Sequence, residues 1–223
     1  MILEIEGLLN AEHVARIRQA LSGAAFVDGR ATAGEAVRDV KNNLQVPGSE
    51  KGLDEARQLI TSALLKNETF NQRVLPRRIL PPMFNRYDPG MEYGSHVDNA
   101  IMGGTEPVRA DVSITVFLSE LKDYEGGGLL INSDGAPHSV RLAAGGAVIY
   151  SSTTIHRVEP VTRGSRLAGV IWAQSFVREE AKREMLQELA EAARWARTVS
   201  PGAQEAMKLS KVRANLMRMW SEL

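Results

Sequence analysis

At 223 residues the chain is long enough to bury one sizeable hydrophobic core and to carry a small appendage. Its 43% hydrophobic and 24% charged residues are those of an ordinary globular protein, and 27 basic residues balance 27 acidic ones. That balance gives no reason to expect nucleic acid or an anionic membrane as partner, and the absence of cysteine excludes disulfide scaffolds, cysteine-ligated zinc and thiol catalysis.

No run of about eighteen apolar residues is present to span a bilayer. The opening Met1-Ile2-Leu3-Glu4-Ile5-Glu6 lacks the basic-then-apolar order of a secretory signal, so a cytoplasmic location is expected. Residues 10–22 read as a helix capped by Asn10, with Val14, Ile17 and Leu21 at helical spacing. Residues 54–66 read alike, with Asp54 as cap and Leu59, Ile60, Ala63 and Leu64 as the apolar stripe. Between them Gly29 to Ser49 is polar and irregular, and Lys41-Asn42-Asn43 reads as a solvated loop at a cleft entrance.

From about Val74 the pattern changes to short strands: Met83–Tyr87, Val112–Leu118, Leu129–Ile131, Ser139–Leu142, Ala147–Tyr150 and Leu167–Phe176. Turn residues fall between them at Asp88-Pro89-Gly90, Gly126-Gly127-Gly128 and Gly145-Gly146. Many short strands at close spacing predict a sandwich or jelly roll, mainly β with flanking helices. After Phe176 the chain turns helical and charged. Met185, Leu189, Ala193 and Ala196 lie on one side of a helix over 178–197; Ser200-Pro201 reads as a cap and first-turn proline. In the last helix Leu209, Val212, Leu216, Met219 and Trp220 form a seam that packs on the barrel or on a second copy. The expected division is a helical support over 1–73, a catalytic core over 74–177 and a helical subdomain over 178–223.

The chemistry centres on His96-Val97-Asp98, with His156 and Arg166 downstream. In a strand, residues two apart point to the same face, so His96 and Asp98 offer two ligands from one short segment. His156, after the small polar turn Ser151-Ser152-Thr153-Thr154, supplies a third. Two imidazoles and a carboxylate can occupy one face of a ferrous ion and leave positions open for a co-substrate and dioxygen. The same donors also accept manganese or zinc, so a cupin-like hydrolase or isomerase is the rival reading. An HxD pair alone arises often by chance; the signal lies in the constellation.

Arg166 opens an apolar strand, where a guanidinium can grip a carboxylate with two parallel hydrogen bonds. Arg163, in a turn with Gly164, is the other candidate and the more solvent-facing one. Tyr87 and Tyr93 can donate hydrogen bonds near a co-substrate, and Trp172 packs beside the site. His13, in the first turn of a helix, and His138, in a loop, have no partner at ligand spacing.

The segment Tyr87 to Asp98 resembles the YxxGxxYxxHxD signature of prolyl 4-hydroxylase-like dioxygenases. Gly127-Gly128-Leu129-Leu130 resembles their GGxL strand, and His156-Arg157-Val158-Glu159-Pro160-Val161 with Arg166 and Trp172 resembles their HxVxPV…R…W segment. With Lys41-Asn42-Asn43-Leu44-Gln45, Arg163-Gly164-Ser165-Arg166, Trp172-Ala173-Gln174-Ser175 and the helical tail, the whole chain is similar to the bacterial PKHD-type hydroxylases of the iron-uptake-factor type. The resemblance implies a double-stranded β-helix and hydroxylation of a C–H bond with decarboxylation of 2-oxoglutarate to succinate and CO2. It implies Fe(2+) held by His96, Asp98 and His156, 2-oxoglutarate held by Arg166 beside Tyr87 and Trp172, and L-ascorbate as reductant. It also implies a link to iron uptake or homeostasis. Dioxygen and a small-molecule or peptide substrate are the expected partners; a prolyl side chain, a free amino acid, an iron chelator and a lipid all remain open.

Overall fold

Alternation along the strands builds two faces at once. The computed structural model describes residues 1–223 except Ala33, Glu35, Ala36, Ser49, Lys51, Asp134 and Ala203. In chain order its elements are β1 (Ile2–Ile5), α1 (Ala11–Ser22), β2 (Val27–Asp28), β3 (Lys41–Asn42), β4 (Leu44–Gln45), α2 (Asp54–Lys66), α3 (Glu68–Val74), β5 (Pro76–Ile79) and β6 (Met83–Tyr87). There follow β7 (Glu92–His96), β8 (Ile101–Met102), β9 (Val108–Arg109), β10 (Val112–Phe117), β11 (Tyr124–Gly126), β12 (Leu129–Ser133), β13 (Ala136–Val140) and β14 (Ala147–Ser151). The chain ends with β15 (His156–Val158), β16 (Val161–Gly164), β17 (Arg166–Ser175), α4 (Glu180–Val199) and α5 (Gln204–Trp220).

The larger sheet runs β1-β14-β10-β17-β6-β4-β2, with β5 also on β17; the smaller runs β13-β12-β15-β7-β3. In the central strand β10, Val112, Ile114 and Val116 point outward with Ile149 and Ile171 against α1 and α2, where Ile17, Leu21, Ile60 and Leu64 are buried. The alternate residues Ser113, Thr115 and Phe117 point inward, between the sheets. The inner face carries a second apolar cluster, including Tyr87, Phe117, Leu129, Ile131, Val148, Tyr150 and Val158. The outer cluster holds the support helices on the sheet, and truncating Ile60 to alanine there would cost about 2–5 kcal/mol.

Residues 41–45 bridge the two sheets. Lys41 pairs with Tyr93 on β7 of the smaller sheet, and Gln45 pairs with Asn85 on β6 of the larger one. Lys41, Asn43 and Gln45 are buried while Asn42 is exposed, as strand alternation demands. This corrects the solvated-loop expectation for Lys41 and Asn43. The other residues of the irregular 29–49 stretch include Ala33, Glu35, Ala36 and Ser49, which lie outside the described residues.

At the C-terminal end, Leu75, Val177 and Leu186 form a small core under Leu216, Met217 and Trp220. The expected faces of these helices hold in part: Ala193 is buried and Leu216 and Trp220 pack on that core, whereas Met185, Val212 and Met219 are exposed and Arg183, Leu186 and Gln187 are buried in α4 instead. Three smaller corrections follow from local geometry. Asp54 lies in the first turn of α2 and pairs with Arg57, the cap position being Leu53. The strand expected over Ser139–Leu142 is Ala136–Val140, which puts His138 in a strand where it pairs with Glu4. The last helix begins at Gln204, beyond Pro201. No helix among the described residues is long and apolar enough to cross a membrane.

Candidate metal centre and co-substrate cavity

His96 ends β7 and His156 begins β15, and the two are direct cross-strand partners. Register alone therefore sets the imidazoles side by side, with ring centroids 4.2 Å apart. Asp98 lies just past the end of β7, a correction to the reading that put the HxD pair inside one strand, yet its carboxylate turns to the same point. Oδ1 of Asp98 is 3.8 Å from Nε2 of His96 and 3.8 Å from Nε2 of His156. One donor atom from each residue falls within 4.8 Å of the others, close enough to share one ion.

The surroundings fix which atoms face that point. Nδ1 of His96 lies 2.8 Å from the Gly94 carbonyl and Nδ1 of His156 lies 3.0 Å from the Thr154 carbonyl. A carbonyl oxygen only accepts, so each Nδ1 carries the proton and each Nε2 keeps its lone pair for a metal. Burial, and then the neighbouring His156, push His96 down to about 4, which keeps it neutral at physiological pH as metal ligation requires. Ser113 Oγ donates to Asp98 Oδ2 at 2.5 Å and is itself 2.7 Å from Ser152 Oγ. Tyr93 stacks on His96 with centroids 3.6 Å apart and Tyr150 meets His156 edge-on at 4.9 Å. Both rings hold the imidazole planes, and sequence reasoning overlooked Tyr150. Its alternation with Ile149 in an apolar strand made it look like core alone.

The donors open into a cavity of about 250 Å³ between the sheets. Its floor is the inner face of the larger sheet: Met83, Asn85 and Tyr87 from β6, then Arg166, Val170 and Trp172 from β17. Arg166 is 1% exposed, and its Nε and Nη2 have no hydrogen-bond partner among the described residues. A buried guanidinium with open donors needs an anion, and a carboxylate fits its fork. Arg163, by contrast, lies at the surface and is paired with Glu125. Trp172 Nε1 is a further buried donor without a partner among the described residues. Burial raises Tyr87 and Tyr93, and Tyr150 well above the usual phenol range, so all three stay neutral hydrogen-bonding groups.

The Gly-Gly turn before β12 has a physical role in this arrangement. Gly127 has φ +62°, and a Cβ there would sit 3.0 Å from Arg166 Cδ and 3.0 Å from Val161. Only glycine lets the turn lie on the arginine stem. The donor set thus fits Fe(II), and the orphaned guanidinium fits the dicarboxylate 2-oxoglutarate. A hydrolytic zinc or manganese site would leave Arg166 without an anion to bind.

An inter-sheet cavity with two imidazoles and a carboxylate at one point and a buried, unpaired arginine on its floor defines the class of 2-oxoglutarate- and Fe(II)-dependent oxygenases. Residues 82–174 match the sequence profile described as the 2OG-Fe(II) oxygenase superfamily. The chain is 44% identical to a PKHD-type hydroxylase of Gluconacetobacter diazotrophicus and 44% identical to one of Paracoccus denitrificans, each alignment covering 100% of both proteins. Among solved structures it shares its fold with a Pseudomonas putida prolyl-4-hydroxylase, at TM-score 0.57 and 23% identity over 78% of this chain and 92% of that one. It also shares it with a Trichoplax adhaerens prolyl hydroxylase in complex with a hypoxia inducible factor peptide fragment, at TM-score 0.60 and 18% identity over 83% and 86%. The chain belongs to the PKHD-type hydroxylases, within the 2OG-Fe(II) oxygenase superfamily. It is a 2-oxoglutarate-dependent dioxygenase with a jelly-roll fold.

Proposed function

We propose that His96, Asp98 and His156 hold Fe(II), and that Arg166 holds the distal carboxylate of 2-oxoglutarate with Tyr87 and Trp172 beside it. The observation that carries this reading is the buried Arg166 with open Nε and Nη2 in the same cavity as the three converging donors. Bound there, Fe(II) and 2-oxoglutarate supply an O2-dependent oxidation in which 2-oxoglutarate becomes succinate and CO2 while a substrate C–H bond is hydroxylated.

The protein's part is position and dryness. The Gly94 and Thr154 carbonyls orient the imidazoles, and Ser113 holds one carboxylate oxygen of Asp98, leaving the other to the metal. Arg166 fixes the co-substrate's far end, so its direction in the cavity is set before the substrate arrives. Leu129, Val158 and Val170 line the same space and limit water around the reacting centre.

Ascorbate is the reductant that would return the iron to the ferrous state. The substrate is a small molecule or peptide, and the neutral charge balance supports a partner set without nucleic acid. The reading places the enzyme in the cytoplasm, where ferrous iron and 2-oxoglutarate are both present. Val212 and Met219, exposed on α5, support self-association of copies through the tail. We retain the division into a support region over 1–73, a core over 74–177 and a tail over 178–223. The outer cluster joins the first two, and Leu75, Val177 and Leu186 join the core to the tail.

The test is turnover of labelled 2-oxoglutarate under O2 with Fe(II). Wild type is expected to release succinate, and Arg166→Lys to need at least tenfold more 2-oxoglutarate for the same rate. Iron-loaded, folded wild type that releases no succinate would overturn the reading.

A further inference from the structure

The strap over residues 41–45 closes one side of the cavity where it crosses between the two sheets, and its inward side chains are Lys41, Asn43 and Gln45. None of the three is among the residues assigned above to iron or 2-oxoglutarate. Lys41 is 5% exposed and makes no ion pair among the described residues; Asp98 and Asp28, the latter already paired with Arg30, act on its ammonium only from farther away. Its Nζ donates to Thr32 Oγ1 at 3.1 Å and stands 5.3 Å from the Tyr93 ring centroid, the ring that also stacks on His96. Asn43 is 2% exposed; its amide faces the Tyr87 hydroxyl, and neither its nitrogen nor its oxygen makes a well-aligned hydrogen bond among the described residues. The side chain is pinned there: a Cβ at Gly29 would fall 1.8 Å from Asn43 Oδ1, and the Gly29 N–H donates to the Asn43 carbonyl at 2.8 Å.

Charge decides what this wall is for. In the reading proposed above, on which this inference rests, three negative charges come from Asp98 and the two carboxylates of 2-oxoglutarate. Fe(II) and Arg166 bring three positive charges, and the histidines are neutral. That centre is balanced without Lys41, whose ammonium remains as a second buried cation. Burial holds it down to about 8, so it is still charged at neutral pH. A buried cation with spare donors calls for an anion. One ammonium and one carboxamide suit a singly charged planar carboxylate, whereas a phosphate dianion would need more cationic donors.

We propose that Lys41 and Asn43 are specificity-determining residues, and that the hydroxylated substrate carries its own carboxylate, received by Lys41 with Asn43 bonding an adjacent polar group. An internal segment of a polypeptide offers no main-chain carboxylate, so a free acid or a chain terminus is the preferred form. Asn43 can both donate and accept, which suits the amide next to such a carboxylate.

The experiment uses anaerobic protein loaded with Fe(II) and 2-oxoglutarate. N-acetyl-proline, N-acetyl-leucine and N-acetyl-lysine are each titrated against their carboxamides, with binding read by ligand-observed NMR and 2-oxoglutarate binding read by calorimetry. At least one acid is expected to bind tenfold tighter than its amide. Lys41→Met should abolish that preference and leave 2-oxoglutarate affinity within twofold, while Lys41→Arg should keep part of the preference. A panel in which no acid outbinds its amide would overturn the proposal. So would Lys41→Met weakening acid and amide alike, or weakening 2-oxoglutarate tenfold, which would assign the cation to the co-substrate. Failure of wild type to bind 2-oxoglutarate would show separately in the calorimetry and would remove the parent reading together with this one.

Discussion

Arg166 and Tyr87 stand directly opposite each other across the β6–β17 pairing, with the guanidinium carbon 5.3 Å from the phenol ring centroid. Phe117 flanks the same guanidinium at 5.4 Å. Two aromatic rings thus stabilise a cation buried deep in the sheet and leave its nitrogens free for a ligand. The arginine is held by packing and is ready for an anion before one arrives.

Gly127 presses on the stem of that arginine. Gly127→Ala combines a left-handed backbone with a Cβ 3.0 Å from Arg166 Cδ. It should cost about 1–2 kcal/mol from the backbone alone and weaken 2-oxoglutarate binding at least fivefold, with iron affinity little changed. Thermal melts and parallel titrations of the two ligands would check this.

Ser113 sits behind Asp98, the carboxylate proposed to bind iron. Removing a hydrogen-bond partner of a ligating carboxylate typically costs about 10–100-fold in metal affinity. Ser113→Ala should fall in that range, measured by competition with a chelator, and should leave the fold intact. Unchanged iron affinity would mean that Asp98 needs no orienting partner.

Lys41 gives a pH dependence whose sign is set by burial. Its amine is lowered from 10.5 to about 8, so between those values the unfolded chain binds more protons than the folded one. Stability from this group therefore rises as pH climbs from about 8 to 10.5, and at neutral pH the buried ammonium is a net cost. Lys41→Met should raise the melting temperature by a few degrees at pH 7, with the gain shrinking as pH passes through that window. A lower melting temperature at pH 7 would contradict the account.

Arg109 ties the end of the tail to the core, bonding Asp111 at 2.6 and 3.0 Å and Glu222 at 2.5 Å. Asp111 is buried and also accepts the Ser175 N–H. Arg109→Leu would leave that carboxylate without its cation and should destabilise by about 3 kcal/mol, read by denaturant unfolding. Glu222→Gln, at the exposed end of the pair, should lose less.

The side chains that converge in the cavity were legible in the sequence because a one-residue gap, a later histidine and a strand-opening arginine form a pattern that chance seldom makes. The strand Met83–Tyr87 and the helix stripes Val14-Ile17-Leu21 and Ile60-Leu64 were legible because their periodicity is carried by large apolar side chains. The strap was not. Lys41, Asn43 and Gln45 alternate correctly, but their inward side chains are polar, and hydrophobic patterning sees only a loop. Strand β1 was missed for a related reason, since its four residues are too few to separate from a helix start. In the tail Ala193, Leu216 and Trp220 were placed correctly, but part of the α4 face was missed because Arg183 and Gln187 are buried there through bonds to backbone and side chains that spacing does not reveal.

The central claim is that His96, Asp98, His156 and Arg166 form one iron and 2-oxoglutarate site. The direct measurement is the visible spectrum of anaerobic protein with Fe(II) as 2-oxoglutarate is added, with His156→Ala and Arg166→Lys alongside. The account predicts a metal-to-ligand charge-transfer band in wild type, no band in His156→Ala, and a band in Arg166→Lys that appears only at much higher 2-oxoglutarate. A folded, iron-loaded wild type without the band would contradict it, as would a band in His156→Ala equal to that of wild type.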